Sequence, residues 1–176
     1  IPSLRKPDAL AAFGPYIANI RTLIDELLSD SDRLIAWLRP PALADHDFAA
    51  ALLQLGREFE ERHGIPCDVT IAGRLPVLDD HQSLALYRIV QESLTNVSRH
   101  ARATRAAITA RVDDGRLEIA VEDDGRGVAE PVHAPGRFGI IGMRERASML
   151  GGTVVHERGE RGGTRVRVSV PLEGRD

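Results

Sequence analysis

Cysteine is nearly missing from this sequence: Cys67 is the only one in 176 residues. A lone thiol excludes a disulfide framework and a cysteine metal cluster, and it fits a reducing, cytoplasmic setting. Long apolar runs are missing as well. None approaches the ~18 residues of a membrane span, and no signal peptide opens the chain, so no membrane contact is expected from it. Excess positive charge is missing too. The 23 Lys and Arg against 26 Asp and Glu leave a formal net charge of -3, which argues against a nucleic-acid binder held by phosphate contacts. Two common nucleotide loops are also lacking: there is no GxxxxGK(S/T), and no GxGxxG between a strand and its crossover helix. What is present, 43% apolar and 28% charged, is the profile of a soluble globular protein able to bury a core. The chain opens on Ile1 and not Met, so it reads as a piece of something longer.

Phe13, Ile20, Leu27 and Leu34 occupy one heptad position, and Ile17, Ile24, Ser31 and Leu38 its partner. That spacing of threes and fours is the seam of a coiled coil or bundle. Tyr16, Leu23 and Trp37 widen the stripe. Pro15 stands in the first turn, and Arg39-Pro40-Pro41 ends the helix, because proline lacks the N–H that a helix needs. Two readings stand for this segment: an amphipathic helix packed on its own domain, or one made to bundle with other segments of chain.

Beyond the prolines the spacing predicts helices over 48–64, 79–101 and 140–150, the middle one burying Leu86, Ile89, Val90, Leu94 and Val97. A strand is expected over 65–73. Two hairpins follow, one turning through Asp113-Asp114-Gly115 and one through the Gly159–Gly163 stretch. Gly125 to Gly139 reads as a loop. The expected fold class is α/β, a two-layer α+β sandwich with helices on one face of a mixed, largely antiparallel sheet; the hairpins exclude an all-parallel doubly wound sheet. Residues 1–41 divide off as a helical segment and linker, and 42–176 as the main domain.

The long central helix carries a polar set that its core stripe does not explain. Glu92, Asn96 and His100 are spaced four apart on one face, with Arg88 on the same line and Arg99 beside it. A carboxylate one turn from a carboxamide suits Mg²⁺, which takes oxygen ligands, and the basic pair suits phosphate oxygens. A solvated helix face would look much the same. Gly125, Gly127, Gly139 and Gly142 add positions where backbone can approach a ligand closely, just before a helix N-terminus that attracts anions.

Taken in order, "LYRIVQESLTNVSRHA", "VEDDGRGV", "GIIGMRERASMLGG" and "GGTRVRVSVPL" closely resemble the four ATP-binding boxes of sensor histidine kinases, within the superfamily shared by gyrase, heat-shock chaperones, histidine kinases and mismatch-repair ATPases. "GMRERASMLGG", preceded by "LRPPAL", resembles the nitrate-sensor and DesK-like branch. The resemblance spans roughly residues 15 to 171 and implies a Bergerat-type ATP-binding fold. It implies ATP and Mg²⁺ as cofactors, with Asn96 on the metal and Glu92, a further possible metal contact, as the catalytic polar or basic group near the γ-phosphate. It also implies Arg99 and His100 near phosphate and nucleotide, and Asp123 as acceptor for the adenine amino group in a pocket shaped by Gly125 and Gly127. Gly139, Ile141 and Gly142 would bring backbone to the phosphates, Thr164 would hold adenine through water, and 128–138 would form a lid.

The same resemblance implies a homodimer through a helical domain, a phosphoacceptor histidine, and a response-regulator receiver domain as partner. None of the six histidines stands in an R-x-x-H-(D/E) context. His46 is a decoy beyond the double proline, and His63, His81, His133 and His156 read as incidental. The phosphoacceptor is therefore expected upstream of Ile1, with 15–38 as the second bundle helix. Two alternatives stay open: a serine kinase of the anti-sigma-factor type, and a non-catalytic nucleotide-sensing module.

Overall fold

The computed structural model describes residues 40–44, 47–127 and 138–172. The expected helix over 15–38, His46, His133 and nearly all of the expected lid lie outside the described residues.

Helices begin where the sequence supplies a cap. Asp47 caps α1 (Phe48–His63) by accepting the Ala50 amide at 3.0 Å, and Gly64 closes it in the left-handed conformation. α2 (Asp80–Asn96) opens on a capping box: Asp79 accepts the Gln82 amide at 2.7 Å, and the Gln82 side chain accepts the Asp79 amide at 3.2 Å. The predicted stripe is buried, with Leu86, Ile89, Val90 and Leu94 all fully covered.

Two helix boundaries differ from the sequence expectation. α2 does not run on to Ala101 as α-helix; Val97–Ala101 form a π-helical turn, and Arg102 leaves it with φ at 54°. A sequence periodicity near 3.6 cannot register one wider turn, which depends on where the last carbonyls find donors. α3 spans Phe138–Met149, so Gly139 belongs to its first turn and not to the preceding loop. Glycine disfavours a helix interior by ~1 kcal/mol, which is why sequence reasoning stops there, but the first turn tolerates it.

Five strands, β1 (Cys67–Ala72), β2 (Ala106–Asp113), β3 (Arg116–Asp123), β4 (Thr153–Arg158) and β5 (Thr164–Pro171), form one sheet in the order β1-β2-β3-β5-β4. Only β1 and β2 run parallel; the other neighbours are antiparallel. The mixed sheet expected from the sequence is therefore present. Asp114 and Gly115 both have positive φ, 47° and 68°, the backbone of a two-residue hairpin turn whose twist matches its strands.

The pleat gives the sheet two unlike faces. One buries Ile108, Val121 and Val166 beneath the helices, with His156 continuing their row across the register. The other carries Glu118, Glu122, Glu157, Arg165 and Arg167 in ion pairs of 3.6 to 3.8 Å. Between the helices, Ser93 donates to the Ile89 carbonyl at 2.8 Å and lies 3.5 Å from the buried Met143 sulfur, joining α2 to α3.

Candidate active site

A cavity of about 790 Å³ opens where the end of α2, the start of α3 and the ends of β3 and β5 converge. α2 and its π turn contribute Glu92, Asn96, Arg99 and His100. The wider turn adds Val97 and Ala101 to the same wall. The sheet supplies the floor: Val121 and Asp123 from β3, Thr164 and Val166 from β5, and His156 from β4. Arg126 and Gly127, which follow β3, and Gly139 and Ile140 in the first turn of α3 complete the lining. Its volume lies within the ~300–1,000 Å³ of small-molecule sites.

Asp123 is the most deeply placed charge in this cavity, only 4% exposed. Its carboxylate accepts the Gly125 amide at 2.8 Å. Burial pushes its pKa above the usual carboxylate value, while the backbone amides of Gly125 and Thr164 pull it partly back. Gly163 lies against Asp123 so tightly that a Cβ there would run into both its carbonyl and its carboxylate. A buried carboxylate with an open side toward a cavity is a hydrogen-bond acceptor waiting for a donor.

Asp124 turns the opposite way. Its carboxylate accepts the Thr104 hydroxyl at 2.6 Å and the amides of Thr104 and Arg105 at 2.8 and 3.0 Å. These bonds, the Thr104 hydroxyl foremost, hold its pKa below the ordinary value. Asp114, in the other Asp-Asp-Gly stretch, shares no such position; it occupies the hairpin turn at φ 47°. Glu92 reaches across from α2 to α3, where a Cβ on Gly139 would run into its carboxylate.

Residues 81–174 match the family of histidine kinase-, DNA gyrase B-, and HSP90-like ATPases. The chain belongs to this ATPase family. It is 40% identical over 140 residues to the signal transduction histidine-protein kinase/phosphatase UhpB of Salmonella typhimurium, covering 79% of this chain and 27% of UhpB. It is 31% identical over 156 residues to the histidine-protein kinase/phosphatase DegS of Brevibacillus brevis, covering 89% of this chain and 40% of DegS. The chain thus spans less than half the length of these curated relatives. Among solved structures, the histidine kinase domain of a blue-light activated kinase from Erythrobacter litoralis superposes with a TM-score of 0.58 at 28% identity, over 71% of this chain and 61% of that one. The chain is accordingly a catalytic, ATP-binding region of the sensor histidine kinase type.

Within this ATPase domain, Glu92, Asn96, Arg99, His100, Asp123, Gly127, Gly139 and Thr164 face one cavity. Gly125, Ile141 and Gly142 do not line it. Gly125 lies behind the wall, with the next amide, Arg126, donating to the Ala101 carbonyl at 2.9 Å. Ile141 is 53% exposed, because the phase of α3 turns Ile140 inward instead. His156, read from the sequence as incidental, lies on the floor; strand alternation from the buried Val154 was the signal that could have found it. Arg126 and Gly163 were also missed.

The oxygen donors of Asn96 and Glu92 fit a hard cation. Among the described residues no three His, Cys, Asp or Glu side chains converge to hold a metal alone. Mg²⁺ takes such oxygen donors together with phosphate oxygens and water.

Proposed function

We propose that this chain binds Mg-ATP in the cavity and presents the γ-phosphate to a phosphoacceptor histidine outside its own sequence. The phosphoryl group then passes to an aspartate on a response-regulator receiver domain. The observation that carries the reading is the buried Asp123 carboxylate, which lines the same cavity as Asn96 and Glu92.

Asp123 accepts the exocyclic amino hydrogen of adenine; guanine, with a carbonyl at that edge, would leave the acceptor unpaired. Val121 and Val166 offer the base an apolar surface, and Thr164 holds it through water. Arg99 brings positive charge toward the phosphates and His100 a ring N–H donor, and Gly139 lets the first turn of α3 approach them. When bound, Mg²⁺ neutralises charge on the phosphates, through Asn96 and with Glu92 close by. In the transfer, the bond from γ-phosphorus to the bridging oxygen breaks, ADP leaves, and a phosphorus–nitrogen bond forms on imidazole. Glu92 is the carboxylate placed to take up the imidazole proton. Most of the rate in such a reaction comes from positioning and electrostatics.

In the whole protein, residues 1–41 serve as the second helix of a dimerising bundle and its linker, and 42–176 as the catalytic domain working in the cytoplasm. Among the described residues no helix is long and apolar enough to cross a membrane.

The test mixes this chain with a polypeptide carrying the missing histidine helix and labelled ATP. Acid-labile phosphate on the added helix, and none on this chain alone, is the expected result. Acid-stable phosphoserine on a partner would replace the reading with a serine kinase. Tight ATP binding without transfer would leave a nucleotide sensor.

A further inference from the structure

We infer that Asp124 is a positioning residue for the nucleotide site: its carboxylate fastens the strand end bearing Asp123 to the segment leaving the π turn. This inference rests on the reading of Asp123 as the adenine acceptor.

All three bonds to the Asp124 carboxylate come from Thr104 and Arg105, nineteen to twenty residues away in sequence. An aspartate that only shapes a turn bonds to backbone two or three residues along. Here it joins the residue that follows β3 to the segment that leads into β2. Thr104 and Arg105 lie between the π turn (Val97–Ala101), which carries Arg99 and His100, and the start of β2 at Ala106, with Arg102 and Ala103 preceding them. The same junction is closed from behind. The Asp124 amide donates to the Arg105 carbonyl at 3.3 Å, and the Arg126 amide to the Ala101 carbonyl at 2.9 Å.

The geometry makes the clamp relevant to Asp123 in particular. Asp123 is the last residue of β3, paired in register with Ala106, the first residue of β2. Its carboxylate is fixed on the far side of the chain by the Gly125 amide, so Asp124 lies between two points that must both stay put. Arg102 leaves the π turn at φ 54°, an uncommon conformation for a non-glycine residue. The Asp124 carboxylate binds a hydroxyl and two consecutive amides just beyond it. Thr104 completes the clamp, since its hydroxyl is the shortest of the three contacts.

The experiment measures calorimetric affinities of the whole chain for Mg-ATP and for Mg-tripolyphosphate, which has no base, well below the melting transition of each variant. Asp124→Ala is expected to lose about 10-fold in ATP affinity, roughly one decade per 1.4 kcal/mol, with tripolyphosphate affinity unchanged. Thr104→Val should lose part of the same affinity, Thr104→Ser should retain it, and the Asp124→Ala/Thr104→Val pair should lose no more than Asp124→Ala alone. Wild-type ATP affinity in folded Asp124→Ala overturns the inference. So does an equal loss for both ligands, which marks a purely structural role. Asp123→Asn serves as the reference. If it binds ATP like wild type, the adenine reading fails and this inference falls with it; if it weakens ATP while Asp124→Ala does not, only the inference fails.

Discussion

Gly139 lies over the carboxylate of Glu92 with no room for a side chain between them. The contact joins the first turn of α3 to the polar wall of α2, at the end of the cavity proposed for the reacting phosphate.

Gly139→Ala tests what that contact does. The added methyl meets the far end of a flexible side chain, so Glu92 swings aside and the fold survives. Helix propensity even favours alanine by up to ~1 kcal/mol. Melting temperature should hold or rise, while phosphoryl transfer to an added histidine helix falls by about 10-fold or more through lost positioning. Unchanged transfer would separate Glu92 from the chemistry.

Gly163→Ala should behave differently, because its methyl meets the backbone carbonyl of Asp123 as well as its carboxylate. Backbone cannot rotate away. A destabilisation of about 1–3 kcal/mol is expected from such overpacking, together with weakened ATP binding. Denaturant unfolding and nucleotide titration of the same variant check both parts.

The two adjacent aspartates predict opposite acid responses. Burial raises the Asp123 pKa, so the folded state holds that proton more tightly than the unfolded chain does. Its contribution to stability is thus most favourable at low pH and declines as pH rises from the ordinary 3.8 through the folded value. Binding runs the other way, since the ionised carboxylate accepts from adenine more strongly than the protonated acid does. The Asp124 pKa is lowered, chiefly by the Thr104 hydroxyl, so its stabilisation is present above 3.8 and is lost only as pH falls through its folded value. On acidification from neutral, ATP affinity should therefore fall before the fold is lost. Calorimetry and circular dichroism on one pH series would show the two transitions apart; coincident loss would contradict the assignment.

Much of the fold was legible because local chemistry and tertiary structure agree. The Gly64 stop and the Asp114-Gly115 turn are each written within a few residues of sequence. The alternation in β2 and β3 announced their pairing. The π turn was not legible, because the carbonyl of Ala101 is satisfied by Arg126, far along the chain. Gly163 could not be tied to Asp123 without knowing that β3 pairs with β5. Ile140 and Ile141 are indistinguishable by composition, and only the starting point of α3 decides which one faces the cavity.

The most direct measurement is calorimetric titration of wild type and Asp123→Asn with Mg-ATP and Mg-GTP. Wild type should prefer ATP. The variant should lose roughly 5- to 150-fold in ATP affinity, the cost of ~1–3 kcal/mol for one buried hydrogen bond, and with it most of the preference over GTP. Equal ATP affinities for the two folded proteins would remove Asp123 from the adenine site.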